Sequence, residues 1–129
     1  MAQADIIIAD DRLLPQAVDL HNQVFRPRRE LDYFKRRFLG RYNCLTLIAR
    51  LDDQPAGFCM GFELKPGMFY HWMGAILPDM RRHGVGRQLH EAQKAWARDH
   101  GYEFIRSECL NHQREYIHFA IDVGFDIVG

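Results

Sequence analysis

The sequence lacks an excess of charge of either sign, because 17 lysines and arginines are matched by 17 aspartates and glutamates. This balance excludes a uniformly basic surface, which would draw the protein to nucleic acid or to an anionic membrane. Long hydrophobic runs are also missing, since no apolar stretch approaches the roughly 20 residues that span a bilayer. The N-terminus shows no basic segment followed by an apolar run, as a signal peptide would. We therefore expect a cytoplasmic protein with no nucleic-acid partner and no membrane partner.

Cysteine is scarce, with three residues at Cys44, Cys59 and Cys109. An odd number of cysteines within apolar runs favours reduced, buried thiols over a disulfide framework. Cys109 and His112 stand at a spacing that zinc sites use, but the sequence offers no second pair of ligands at such a spacing. We therefore predict no metal site.

The chain has 129 residues, a length that predicts one domain over residues 1–129 with enough buried surface for a proper core. Apolar periodicity predicts the element order β-α-α-β-β-β-α-β-α-β. The predicted strands cover residues 4–10, 44–51, 56–64, 68–77, 102–110 and 124–129, and the predicted helices cover residues 13–25, 31–39, 84–100 and 111–123. The three middle strands form an antiparallel meander, and the third helix is a right-handed crossover between parallel strands. The expected fold class is α/β, with a mixed sheet of about six strands flanked by four helices.

The segment RRHGVG stands where the third predicted helix begins. The first turn of a helix has backbone N–H groups without partners, and the helix dipole adds positive charge there. Glycines let the backbone approach a bulky anion, and arginines supply charge-assisted hydrogen bonds. The segment therefore predicts a site for a phosphate or pyrophosphate, with a simple flexible turn as the alternative.

Two known phosphate motifs do not match this segment. A P-loop needs a lysine followed by serine or threonine, and the chain has Arg87 and Gln88 there. The dinucleotide fingerprint needs a third glycine or alanine where the chain has Leu89.

RRHGVG resembles the R/Q-x-x-G-x-G/A signature of the GCN5-related N-acetyltransferase (GNAT) superfamily, and it lies in the same place, after the fourth strand and at the start of the third helix. AILPDMR resembles the end of the family's fourth strand, and NHQREYIHFAIDVGFDIVG resembles its fourth helix. The resemblance covers essentially the whole chain. It implies a GNAT-type acyl-CoA N-acyltransferase fold and acetyl-CoA as co-substrate, with no metal.

The resemblance also implies which residues hold acetyl-CoA. The backbone of residues 82–87 would bind the pyrophosphate, and the end of the fourth strand would line the pantetheine arm. The implied cofactor-binding residues are Ile76, Leu77, Arg81, Arg82, His83, Gly84, Val85, Gly86, Arg87 and Asn111.

The implied reaction is direct attack by a primary amine of a small molecule or peptide on the thioester, with a base that takes the ammonium proton. Glu108 and His71 are the catalytic candidates, and Glu63 is a weaker third. Glu108 could equally be paired with an arginine, and His71 could be a satisfied sheet residue. Many relatives use a tyrosine as the acid where this chain has Ala120, so we expect another residue or water to protonate the thiolate.

Three expectations remain open. The family's seventh strand has no counterpart, which predicts either a trimmed chain or a homodimer whose partner covers the edge. The arginines at 26, 28 and 29 could attract an acidic substrate or form a solvated helix face, and we favour the solvated face. The alternative functions are a non-catalytic or regulatory acyl-CoA-binding domain and a domain that binds another phosphate ligand.

Overall fold

A five-stranded mixed sheet lies at the centre of the computed structural model, which describes residues 3–109 and 113–128. The strands are β1 (Asp5–Ile8), β2 (Leu45–Leu51), β3 (Gln54–Lys65), β4 (Met68–Ile76) and β5 (Phe104–Ser107). The helices are α1 (Leu14–Val24), α2 (Leu31–Phe38), α3 (Val85–Asp99) and α4 (Arg114–Asp122), and a short 3-10 turn covers Pro78–Met80.

The strands follow one another across the sheet in the order β1-β2-β3-β4-β5. The first four strands pair antiparallel, and β4 pairs parallel with β5. Because α3 connects β4 to β5, the strand meander and the helical connection between parallel strands are both confirmed. The mixed α/β fold class is confirmed as well.

The predicted sixth strand does not form, because residues 125–128 have no regular structure. Phe125 instead turns toward α3, where its ring centroid lies 5.2 Å from that of His90. The apolar residues that follow, Ile127 and Val128, are exposed. In the described part of the chain, this segment therefore packs the ring of Phe125 against α3 and forms no strand pairing with β5.

The two faces of the sheet bury two separate clusters. Successive residues of a strand point to opposite faces, so Phe58 and Met60 of β3 pack with α1 and Phe34 of α2. Cys59 between them packs on the other side, with Leu89 and the rest of the buried stripe of α3. Complete burial of a side chain such as Phe58 stabilises the fold by about 1.5–3 kcal/mol. The clusters hold β4 between α1 and α3, which positions the clefts described below.

The third helix begins and ends at glycines with positive φ, Gly84 (φ 79°) and Gly101 (φ 85°). One stripe of this helix faces the sheet, since Val85 and Leu89 are buried and Ala92 and Trp96 are partly buried against the same cluster.

The prediction of three buried thiols is wrong for two of them. Cys59 is buried within β3, but Cys44 and Cys109 are exposed. Both lie just outside a strand, where the chain leaves the sheet and the alternation of buried positions no longer applies. No helix in the described ranges has the length and apolar character needed to cross a membrane.

Candidate active site

Strands β4 and β5 pair over only part of their length. Their ladder begins at Met68 with Phe104 and ends at His71 with Ser107. Strand β4 continues to Ile76, so its second half has no strand on that edge within the described residues. An unpaired edge leaves backbone N–H and C=O groups available to an extended ligand.

A bulge lies where the two strands part. Gly61 of β3 pairs with His71, whereas Met60 pairs with Met73, so Trp72 is one extra residue on β4. Such bulges redirect side chains and are frequent beside active sites. Here the bulge follows His71 directly, at the last rung shared with β5.

The first four residues of the RRHGVG segment form a tight loop ahead of α3, and the last two begin the helix. Arg82 (φ 68°) and Gly84 (φ 79°) both have left-handed backbone conformations. The Nε of Arg81 donates to the carbonyl of Ile76 at 3.1 Å, which ties the loop to the end of β4. Gly84 occupies the N-cap of α3, and no described side chain makes a capping hydrogen bond there. The loop thus brings arginines and the uncapped first turn of a 15-residue helix to the open edge of β4.

A cleft of about 550 Å³ lies between this edge, the loop and α4, and we call it the loop cleft. Most of the residues predicted to bind a cofactor line it, namely Ile76, Arg81, Arg82, Gly84, Val85, Gly86 and Arg87. Leu77 does not, because its side chain packs against the cluster on the opposite face. His83 is exposed beside the loop and is not among the lining residues. Asn111 lies outside the described residues, and Gln113 occupies the N-cap of α4.

A second cleft of about 860 Å³ lies between the α1–α2 connection, β4 and the start of α4. Four arginines line it, Arg26, Arg29, Arg81 and Arg114, so we call it the arginine cleft. The loop cleft and the arginine cleft share the residues His71, Gly74, Ala75, Arg81, Glu115 and Tyr116. The two clefts therefore meet at the point where β4 and β5 separate.

His71 is the predicted catalytic residue that stands at this junction. Its Nδ1 lies 3.1 Å from Oε1 of Gln93, and its ring stacks against that of Tyr116 with centroids 6.5 Å apart. Burial lowers the pKa of His71 to about 4; the hydrogen bond with Gln93 opposes this shift, and His90 adds to it. The imidazole is therefore neutral at neutral pH, a poor acceptor of a full proton but a competent hydrogen-bond acceptor.

Gln93 is a site residue that the sequence interpretation missed. It is 1% exposed, and its Nε2 has no hydrogen-bond partner among the residues that the structure describes. When Oε1 of Gln93 accepts the hydrogen bond, the proton of the neutral imidazole is on Nδ1 of His71. Nε2 of His71 is then the unprotonated nitrogen, which can accept a hydrogen bond. The sequence contains a signal for this residue, because Gln93 falls four residues after Leu89 on the apolar stripe of α3. A polar residue is unusual on the apolar face of a helix.

Tyr116 and Ser107 form a second polar pair at the junction. Their hydroxyl oxygens lie 2.6 Å apart, and either can be the donor. Burial raises the pKa of Tyr116, which the hydrogen bond with Ser107 partly opposes. The phenol therefore keeps its proton at neutral pH. Ala120, at the family's tyrosine position, is partly buried one turn further along α4.

Glu108, the other predicted catalytic residue, lies in the arginine cleft just after β5. Its Oε1 lies 3.7 Å from Nε of Arg106, and both side chains are more than half exposed. This ion pair agrees with the alternative interpretation of Glu108, in which its carboxylate is paired with an arginine. Glu63 lies away from both clefts and accepts a hydrogen bond from the Tyr102 hydroxyl at 2.9 Å. Across the described residues, no three His, Cys, Asp or Glu side chains come together as metal ligands.

Comparison with known proteins links this site to one family. The model of the Acetyltransferase (GNAT) family matches residues 14–125. The solved structure of AAC(6')-Iy in complex with a bisubstrate analogue, CoA-S-monomethyl-acetylneamine, matches with a TM-score of 0.85 and 18% identity, covering 99% of this chain and 94% of that one. No curated protein matches the chain at a significant level.

Two further structures show the same fold. An aminoglycoside acetyltransferase from an uncultured soil metagenomic sample, in complex with sisomicin, has a TM-score of 0.79 and 18% identity over 98% of this chain and 93% of its own. A ribosomal-protein-alanine N-acetyltransferase from Brucella melitensis biovar Abortus 2308 has a TM-score of 0.78 and 17% identity over 98% of this chain and 95% of its own. At these identities the likeness concerns the fold.

Proposed function

The chain belongs to the GNAT family of acetyltransferases, and on that premise we propose that it transfers the acetyl group of acetyl-CoA to a primary amine of a small molecule or peptide. The observation that carries the proposal is the meeting of two clefts at the separation of β4 and β5. One cleft suits a phosphorylated thioester, the other has room for the acceptor molecule, and the reaction needs both at one point.

The loop cleft fits acetyl-CoA by its chemistry. A pyrophosphate would accept hydrogen bonds from the first-turn amides of α3 and from Arg82 and Arg87. The extended pantetheine arm carries amides, which the unpaired edge of β4 can match as an added strand does. The arm would run past Ile76 toward His71, which brings the thioester to the junction.

The reaction forms a C–N bond, breaks the C–S bond, and moves one proton from the amine and one to the thiolate. His71 is proposed to accept a hydrogen bond from the attacking amine, or from a water that carries its proton away, through the nitrogen not held by Gln93. Because burial lowers the pKa of His71 to about 4, its role is to orient the amine, and solvent is the final proton acceptor.

Tyr116 is the proposed proton donor to the thiolate. It lines both clefts and stays protonated, and Ser107 can donate to its oxygen and so free the phenolic hydrogen for the sulfur. We expect Tyr116→Phe to lower kcat by more than about tenfold while acetyl-CoA binding is kept. Tyr42→Phe, at an exposed position, is the matched control. An unchanged kcat would assign the proton to water.

The first experiment measures thermal stability with and without acetyl-CoA. At about 100-fold above Kd the ligand adds roughly 2.7 kcal/mol, which raises Tm by about 10 °C for a domain of this size. Gly86→Glu should abolish the shift, because it puts a carboxylate inside the loop cleft. Ala95→Glu adds the same charge on the exposed face of α3 and should keep the shift. No shift at millimolar acetyl-CoA in the unchanged protein would refute the proposal.

Thiol release from acetyl-CoA with a panel of amines tests turnover. Aminoglycosides and peptides that begin with alanine belong in the panel, because the names of structurally similar proteins mention an aminoglycoside and a ribosomal-protein alanine. A non-catalytic acyl-CoA-binding domain is the second candidate. The low pKa of His71 and the ion pair of Glu108 favour it, since neither residue is a strong free base. A thermal shift without thiol release from any amine would establish that candidate instead.

A further inference from the structure

The arginine cleft has an unbalanced charge. Four guanidinium groups line it against two carboxylates, those of Glu108 and Glu115. His71 adds no charge at neutral pH, because burial lowers its pKa to about 4. A cleft of this sign repels a polycation and attracts a ligand with negative charge.

The arginines of the cleft are not neutralised by neighbours. None of the four forms an ion pair with a carboxylate in the part of the chain that the structure describes. The carboxylate of Glu108, by contrast, is already paired with Arg106, which is not a lining residue. The pair reduces the negative charge of the cleft and leaves the positive charge in excess.

The loop that carries two of these arginines is held in place by Asn22 of α1. The Asn22 side chain donates to the carbonyl of Arg29 at 2.7 Å and accepts from its N–H at 2.8 Å. Nη1 of Arg26 donates to the carbonyls of Asn22 and Phe25 at 2.8 and 2.9 Å. Both backbone groups of Arg29 are thus fixed, while its guanidinium stays free of hydrogen bonds to the described residues. This is a positioned charge rather than a freely moving surface residue.

Two aromatic rings lie next to the guanidinium group of Arg29. The guanidinium carbon of Arg29 lies 4.5 Å from the centroid of the Tyr33 ring, and that ring stacks against Trp72 with centroids 6.1 Å apart. Stacking on a ring orients a guanidinium and leaves its edge free for an oxyanion. Trp72 is the bulged residue of β4 beside His71, so apolar surface extends from the guanidinium group of Arg29 toward the point where the two clefts meet.

We infer that the acceptor is a primary amine whose body also carries an anionic group, which Arg29 and Arg114 bind while the amine reaches His71. The inference rests on the proposed function, because it names the substrate class of the same site. A carboxylate and a phosphate would be bound by the same contacts, so both must be tried.

The experiment compares matched acceptors with acetyl-CoA in saturating amount. The pair 5-aminovalerate and 5-aminovaleramide differs in one carboxylate, O-phosphoethanolamine and ethanolamine differ in one phosphate, and spermidine is a polycation. We expect kcat/KM to be about tenfold or more higher for the anionic member of at least one pair, mainly through KM. Which pair shows the preference identifies the anionic group.

The variants Arg29→Gln and Arg114→Gln should each reduce that preference by about fivefold to tenfold, chiefly by raising KM for the anionic member. Arg29→Lys should restore part of the preference, because it keeps the charge. Arg98→Gln removes an equal charge at an exposed position of α3 away from both clefts and should change nothing.

The proposed function and the inferred acceptor class are refuted by different results. If acetyl-CoA produces no thermal shift, the proposed function is wrong, and the inferred acceptor class is wrong as well. If the shift is present but neutral amines or spermidine are preferred, only the acceptor class is wrong. An anionic preference that survives both Arg29→Gln and Arg114→Gln would also overturn it, because the charge would then be bound elsewhere.

Discussion

The neutral state of His71 couples the stability of the protein to pH. Burial lowers its pKa in the folded protein from 6.5 to about 4. Between these two values the unfolded chain binds a proton at this residue and the folded chain does not. The free energy of unfolding therefore falls as the pH falls, by about 1.4 kcal/mol per pH unit. The total contribution is about 3 kcal/mol, fully present above pH ~6.5 and lost by pH ~4.

Urea unfolding at a series of pH values from about 7.5 to about 4 measures this contribution. In His71→Asn the side-chain amide replaces the Nδ1–H that faces Gln93, and nothing at that position titrates. The difference in unfolding free energy between the unchanged protein and His71→Asn should shift by about 3 kcal/mol over the series. His118→Asn, at an exposed position of α4, is the matched control. Curves for the unchanged protein and His71→Asn that stay parallel within about 0.5 kcal/mol would refute a partly buried histidine with a lowered pKa.

Three further predictions concern the same region of the sheet. Gln93→Met removes the hydrogen bond that raises the pKa of His71, so the pKa should fall further below 4; an NMR titration of the imidazole checks this, and a rise would contradict it. Gly61→Ala should destabilise the protein by about 1–3 kcal/mol in urea unfolding, because the new Cβ would lie 2.5 Å from the carbonyl oxygen of Tyr70; an unchanged stability would mean that β3 and β4 can separate locally. Cys59 should resist a maleimide reagent in the folded protein while the two exposed cysteines react, because burial raises the pKa of its thiol to about 12; rapid labelling of all three would contradict this.

Local patterns in the sequence were sufficient for most elements. Alternation in β2 and β3 and the helical spacing of Val85 and Leu89 predicted elements that the structure contains, because such patterns reflect which side of an element is buried. The loop ahead of α3 could also be predicted, since its glycines and arginines are contiguous in the chain. The terminal segment 124–129 had strand-like composition, but its described residues 125–128 do not pair with β5, and composition alone does not report whether a segment joins a sheet.

The candidate site was less predictable from sequence. His71 was identified as a candidate, but Gln93 stands out in the sequence only as a polar residue on the apolar stripe of α3, and its contact with His71 forms only when α3 packs on β4. Ser107 had no feature to distinguish it before its hydroxyl met that of Tyr116. In both pairs the chemistry depends on a contact between residues of different elements, which the sequence does not encode locally.

The sequence by itself therefore determined most of the elements, the family and the loop that suits a phosphate, because each of these depends on residues that are neighbours along the chain. Only the tertiary structure decided that β4 and β5 part at His71 and that the loop cleft and the arginine cleft meet there. It also decided that Arg29 and Arg114 face one cleft, although separate segments carry them. The physical reason is that hydrogen bonds, burial and electrostatic fields act over ångströms in space, whatever the separation along the chain.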